Sequence, residues 1–225
     1  MNYEIKGSVV PYIEVSLSKD ESMFTQSGAM FYQTEGIEMA TNTKGGFLKG
    51  IGRTFAGESL FMATYTATQD AKVAFASTVP GNILALDVSR HKFTIQKGAF
   101  LAAESSVTLK TTFNKKLSSS IFGGEGIILQ KLDGYGTAFL EVDGDAIEVD
   151  LAPGEVLKID TGNVVGFEDS VKYEIETVKG LTNILFGGEG IFLTKLTGPG
   201  KVILQSMNII EFALKIGTYI PTKSS

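Results

Sequence analysis

Three glutamates recur in one phrase along this chain: Glu58 in Phe55-Ala-Gly-Glu-Ser-Leu60, Glu125 in Phe122-Gly-Gly-Glu-Gly-Ile127 and Glu189 in Phe186-Gly-Gly-Glu-Gly-Ile191. Carboxylates gathered close around one axis would form a cation site or raise one another's pKa. Held apart, each accepts backbone hydrogen bonds in a tight turn, and the flanking glycines favour this structural role. A second group is the loop 44–58, where Lys44, Lys49 and Arg53 stand among glycines at 45, 46, 50, 52 and 57. Backbone amides and cations so arranged suit a phosphate or a carboxylate. The loop is not a Walker loop, because Ile51 occupies the lysine position, and Phe55 breaks the dinucleotide-binding glycine pattern. A plain connection between strands is the simpler account. His91, in Ser89-Arg-His-Lys92, reads as a solvated turn residue with no partner for imidazole chemistry.

The composition narrows the chemistry further. The 225 residues include no cysteine and a single histidine, which removes thiol catalysis, disulfides, thiolate zinc sites, iron–sulfur clusters and the usual hydrolase triads. No cofactor or metal is expected. A formal net charge of −5 argues against a phosphate-backbone partner, since nucleic-acid binders concentrate Lys and Arg. The segment Met1 to Gly7 lacks the basic and apolar regions of a signal peptide, and no stretch approaches a membrane-spanning length of about 18 apolar residues. A cytoplasmic location is expected, with peripheral membrane association left open.

Residues at these spacings need elements to hold them, and the sequence indicates strands. The three glutamate phrases lie 67 and 64 residues apart, and Gly28, Gly98 and Gly162, each followed by apolar residues, lie 70 and 64 apart. Fifteen residues before each of these glycines, Ile13, Ile83 and Ile147 open a strand-like alternation. Lys72–Phe75, Thr137–Leu140 and Lys201–Leu204 close each unit with an apolar run. The expected organisation is one compact unit of three internal repeats, 10–77, 80–142 and 144–206, followed by a closing strand and tail over 207–225. The expected fold class is all-β: sequential β-sandwich or half-barrel repeats with pseudo-threefold symmetry, double-stranded β-helix-like, closed into a triangle. Asp143-Gly144, between two alternating runs, suggests a hairpin, and Pro153-Gly154 a further turn. Residues 207–220 fit two patterns. Phe212, Leu214 and Ile216 alternate as in a strand, the preferred reading, while Ile209, Phe212, Ala213 and Ile216 fall on a helical stripe.

The order of Gly28-Ala-Met30, the basic glycine-rich stretch Lys44 to Arg53 and Phe55-Ala-Gly-Glu-Ser-Leu-Phe61 resembles the altered-inheritance-of-mitochondria type family of bacterial and mitochondrial proteins. The resemblance covers the whole chain. It implies a fold like three copies of the β unit of the tryptophan RNA-binding attenuation protein (TRAP-like). It also implies mitochondrial members linked to inner-membrane organisation and bacterial members that are largely uncharacterised. It brings no catalytic residues, and RNA binding does not transfer to an acidic chain without the repeated basic surface.

Together these readings point to a non-enzymatic structural or interaction protein, with a homo-oligomer or a protein partner joined through β edges or the flat faces of the triangle. The alternative is a small-molecule or anion-binding protein, using the loop 44–58 or a cleft between repeats.

Overall fold

The structure is a computed structural model describing residues 1–26, 28–41, 62–115, 127–178 and 191–220. Along the chain run β1 (Asn2–Lys6), β2 (Tyr12–Leu17), β3 (Ser22–Gln26), β4 (Met30–Gln33), β5 (Ile37–Thr41), β6 (Met62–Ala67) and β7 (Ala71–Ala76). There follow β8 (Gly81–Asp87), β9 (Phe93–Gln96), β10 (Phe100–Glu104), β11 (Val107–Lys115), β12 (Ile127–Gly134) and β13 (Thr137–Asp143). Last come β14 (Ala146–Leu151), β15 (Val156–Asp160), β16 (Val164–Glu168), β17 (Lys172–Val178), β18 (Ile191–Thr197), β19 (Gly200–Gln205) and the helix α1 (Ile209–Gly217).

These strands form four sheets, in the orders β1-β2-β7-β4, β5-β6-β3-β10-β13-β8, β11-β12-β9-β16-β19-β14 and β15-β18-β17. Pairing is antiparallel throughout, as in β2 with β7, β8 with β13 and β14 with β19. These ladders set Ile13 opposite Phe75, Leu84 opposite Leu140 and Ile147 opposite Leu204. Leu84 therefore takes the place that counting back from Gly98 assigns to Ile83, since Phe93 of β9 follows Leu84 by nine residues while Met23, its counterpart on β3, follows Ile13 by ten. Two ladders join distant parts of the chain into single sheets: β3 with β10, and β9 with β16. No ladder joins β4 to β15, so strand pairing among the described residues does not close a triangle.

Side-chain alternation explains how the sheets stack. In β2, Ile13, Val15 and Leu17 are buried and Tyr12, Glu14 and Ser16 face outward, the pattern of a sheet with one covered face. In the two central sheets both faces are covered. On β13, Phe139 enters a first core with Ile13, Val15 and Phe75. Its neighbours Ala138, Leu140 and Val142 enter a second core with Ile95, Leu132 and Ile203. On β16, Val165 joins that second core, while Val164 joins a third with Leu129, Leu196 and Val202. Three apolar cores thus separate four layers. This is why β10 and β16 read as continuous apolar runs, whereas β2 alternates.

Two local expectations are corrected. The segment after β19 is a helix and not a closing strand. The Asn208 side chain accepts from the N–H groups of Ile210 and Glu211, a cap that ends the extended chain and starts the turn. Glu211, Ala213, Leu214 and Lys215 then favour continuation. Asp143-Gly144 does make a tight turn, with Gly144 at φ +72°. It is no hairpin, however, because β13 and β14 belong to different sheets. The turn is anchored outside itself, by Gly144 N–H donating to Pro80 O at 3.0 Å.

On the outer face of the first sheet, Glu14 binds Lys72 at 2.8 Å and Lys6 at 2.9 Å and accepts from the Tyr32 hydroxyl. The hydrogen bond from Lys72, then those from Tyr32 and Lys6, hold its carboxyl down at about 2. A carboxylate whose pKa falls on folding stabilises above its unfolded value of 4.5 and loses that contribution as pH falls through about 2. Glu14→Gln is therefore expected to lower the thermal midpoint at neutral pH and to leave it unchanged near pH 2, a difference that calorimetry at the two pH values would read. Equal losses at both would show that the pairing carries no pH-linked stability.

Candidate functional site

The residues singled out in the sequence, Lys44, Lys49, Arg53, Glu58, Glu125 and Glu189, lie outside the described residues. By position they fall in three connections, between β5 and β6, β11 and β12, and β17 and β18, and the strands so joined pair with each other. His91 is described and mostly exposed, and its Nδ1 lies 2.8 Å from Glu168 Oε1. This contact lies next to the β9–β16 ladder.

A cavity of about 190 Å³ opens where the second and third sheets meet the start of α1. Its polar lining includes Glu141 and Asp143 from β13, Gln205 from β19 and the cap Asn208. Glu141 is committed to the local structure, since its Oε1 accepts from Ser77 Oγ, Thr78 N–H and Thr78 Oγ1, each at 2.9 Å. Gln205 receives the Asp143 N–H at 3.1 Å and donates to Gly162 O at 2.9 Å. Asn208 donates to Asp160 Oδ1 at 3.3 Å, which ties α1 to the end of β15. This lining is acidic and holds no cation, so it suits a neutral or cationic polar molecule better than an anion.

Asp143 is the group that sequence reading missed, because as half of an Asp-Gly pair it looked like turn chemistry alone. Burial, and then the charge of Glu141, push its carboxyl up to about 6 from an ordinary 3.8. A raised carboxyl pKa means that the folded state holds the proton more tightly. The associated stability is full below 3.8 and is lost as pH rises through about 6. Asp143→Asn is thus expected to stabilise the protein at pH 8 by on the order of 1 kcal/mol, after discounting for the half-exposed carboxyl, with no gain at pH 3.5. Urea denaturation at the two pH values checks this, and a gain of equal size at both would refute the titration.

The other feature is apolar surface left uncovered. Ile209, Phe212, Leu214, Ile216, Tyr219 and Ile220 are all exposed, and α1 has no buried residue. A helix apolar around most of its circumference normally lies against something. On β4, Met30 and Phe31 are also exposed, and Phe31 contacts the rings of Tyr12 and Tyr32, each with centroids at 5.3 Å. The run Met30-Phe31-Tyr32 was the available signal for this patch, but alternation alone did not show which face it would occupy.

A nearly all-β chain of stacked antiparallel sheets is a β-sheet protein, and among the described residues no group of three or more His, Cys, Asp or Glu is placed to hold a metal. The chain belongs to the mitochondrial biogenesis AIM24 family, which it matches over residues 3–207. It is 31% identical to an uncharacterised protein of Streptococcus pyogenes serotype M6, an alignment covering 100% of this chain and 93% of that one. A crystal structure of another S. pyogenes protein, from a structural genomics consortium, superposes with a TM-score of 0.80 at 28% identity, covering 97% of this chain and 99% of that one. None of the described helices is long and apolar enough to cross a membrane.

Proposed function

We propose that this chain is a non-enzymatic structural or interaction module, built from three repeats over 10–77, 80–142 and 144–206 and acting in the cytoplasm. The observation that carries this reading is the uncovered apolar surface on α1 and β4. Contiguous exposed apolar side chains on a soluble fold mark surfaces that another molecule covers. Native mass spectrometry of the protein purified from its own host is expected to show a discrete oligomer or a retained protein. A strict monomer that retains nothing on pull-down would overturn the reading.

A second reading, small-molecule binding, draws on the cavity beside Asp143. It requires a reproducible extra mass of small-molecule size in the same spectrum, reduced by Asp143→Asn. The anion-binding form of this reading depends on Lys44, Lys49 and Arg53, and unchanged affinity for a bound anion after replacing Lys49 and Arg53 would remove that loop from consideration.

A further inference from the structure

We infer that the cavity beside Asp143 is a site for a small aliphatic amine in its protonated, ammonium form, held by the Asp143 carboxylate. This rests on the small-molecule reading given above and names the class of molecule that the cavity takes.

The position does not need an acid to make its turn. The ladders match Phe75, Leu140 and Leu204, and three residues past each of these stand Thr78, Asp143 and Met207. A hydroxyl and a thioether serve after β7 and β19 where β13 ends in a carboxylate. The turn itself is held through the backbone. Asp143 N–H donates to Gln205 Oε1 at 3.1 Å, Asp143 O accepts from Met207 N–H at 3.1 Å, and Gly144 N–H donates to Pro80 O at 3.0 Å. The Asp143 carboxylate takes part in none of these bonds.

Its surroundings leave it without a counter-charge. The lining side chains able to donate are Thr78, Gln96, Gln205 and Asn208, and each is engaged with another group. Thr78 Oγ1 donates to Glu141 Oε1 at 2.9 Å and Gln96 Nε2 to Thr161 O at 2.6 Å. Gln205 Nε2 donates to Gly162 O at 2.9 Å and Asn208 Nδ2 to Asp160 Oδ1 at 3.3 Å. No lysine, arginine or histidine is among the lining residues. Other carboxylates of this chain are treated differently: Glu14 is held by Lys6 and Lys72, Asp169 by Lys131 and Glu148 by Lys201. A carboxylate taken from water without a donor or a cation is costly. The rise of the Asp143 pKa to about 6, through burial and then the charge of Glu141, expresses that cost. A guest that brings N–H donors and a positive charge removes it.

The shape of the cavity narrows the guest further. Val79, Ala99, Val164, Ile209 and Ile210 supply apolar wall, which suits methylene groups beside a charged end. The volume of about 190 Å³ equals roughly six water-sized groups, so a chain of about four carbons and one nitrogen fits, whereas a nucleotide does not. No aromatic residue lines the cavity. Quaternary ammonium ions are held by aromatic cages, so the guest here is one that donates hydrogen bonds. Glu141 Oε1 is already committed to Ser77 and Thr78, which leaves too few carboxylate oxygens for the about six to eight ligands of calcium.

The probe is n-butylammonium chloride, titrated calorimetrically into the full-length protein at pH 8 against a sodium chloride blank. The uncharged counterpart of the same length is n-butanol. A ligand of this size binds no more tightly than about the micromolar range, so the titration extends to millimolar probe. Butylammonium is expected to bind the wild type, and to bind Asp143→Asn roughly tenfold to a hundredfold more weakly. Asp143→Asn is expected to be at least as stable at pH 8, so weaker binding does not report unfolding, and the thermal midpoint of the variant checks this. Butanol is expected to bind the wild type at least as weakly as butylammonium binds the variant. Equal butylammonium affinity in wild type and variant, or butanol binding as tightly as butylammonium, overturns the proposal and leaves the small-molecule reading standing. Tighter binding of calcium or magnesium chloride than of butylammonium, lost in Asp143→Asn, also overturns it by making the cavity a metal site. No heat from butylammonium overturns the proposal as well, and if the native spectrum from the host also shows no extra small-molecule mass, both it and the small-molecule reading fall.

Discussion

Phe139→Ala is expected to lower the unfolding free energy by about 3–5 kcal/mol, the largest loss from any single truncation considered. Phe139 is fully buried at the middle of β13 and faces the first core beside Leu101 and Ile83. The Tyr3 ring meets it edge-on, with centroids 4.8 Å apart, so the same side chain ties β1 to the second sheet. Removing the ring leaves a cavity walled by two sheets whose backbone ladders cannot collapse into it, and the cost stays near the upper end. Guanidinium denaturation measures the loss. Phe139→Leu, which keeps most of the volume, should cost about 1.5 kcal/mol or less. If the alanine variant loses less than about 1 kcal/mol, Phe139 is not the packing centre its burial indicates.

Phe31→Glu should separate assembly from folding. Phe31 is largely exposed in the single chain, and surface substitutions of this kind change stability by about 0.5 kcal/mol or less. Under a partner on the proposed apolar surface the same residue would be enclosed, and an unpaired buried charge costs roughly 3–5 kcal/mol. That corresponds to a loss in association of about a hundredfold to a few thousandfold. Sedimentation velocity is therefore expected to show monomer at concentrations where the wild type is assembled, with an unchanged thermal midpoint for the monomer. Phe31→Leu should keep the assembly. Retention of the assembly by Phe31→Glu would show that β4 is not at the interface.

What the sequence determined by itself was the β character of the chain. Period-two alternation follows from the pleat: Ile13, Val15 and Leu17 point one way whatever packs on them. The continuous apolar run of β16 likewise announces a strand covered on both faces. The absence of cysteine and the single histidine limited the chemistry before any fold was considered.

Only the tertiary structure decided which edges meet. Backbone N–H and C=O groups are the same on every strand, so nothing local indicates that β3 pairs with β10 while β4 stops at an edge. The Glu14 cluster is invisible in sequence for a related reason, since Glu14 and its partners Lys6, Tyr32 and Lys72 come from four different strands. Asp143 looked like half of a turn because its neighbour is glycine, and its raised pKa comes from burial between elements far apart in the chain. At residues 209–217 two periodicities fitted and strand was the preferred one, but the Asn208 cap starts a helix there. The loop residues Lys44, Lys49 and Arg53 and the repeated glutamates Glu58, Glu125 and Glu189 remain proposals resting on the sequence. Local periodicity is dictated by backbone geometry within a few residues, whereas pairing, burial and titration depend on contacts between residues tens of positions apart, and these exist only once the sheets have stacked.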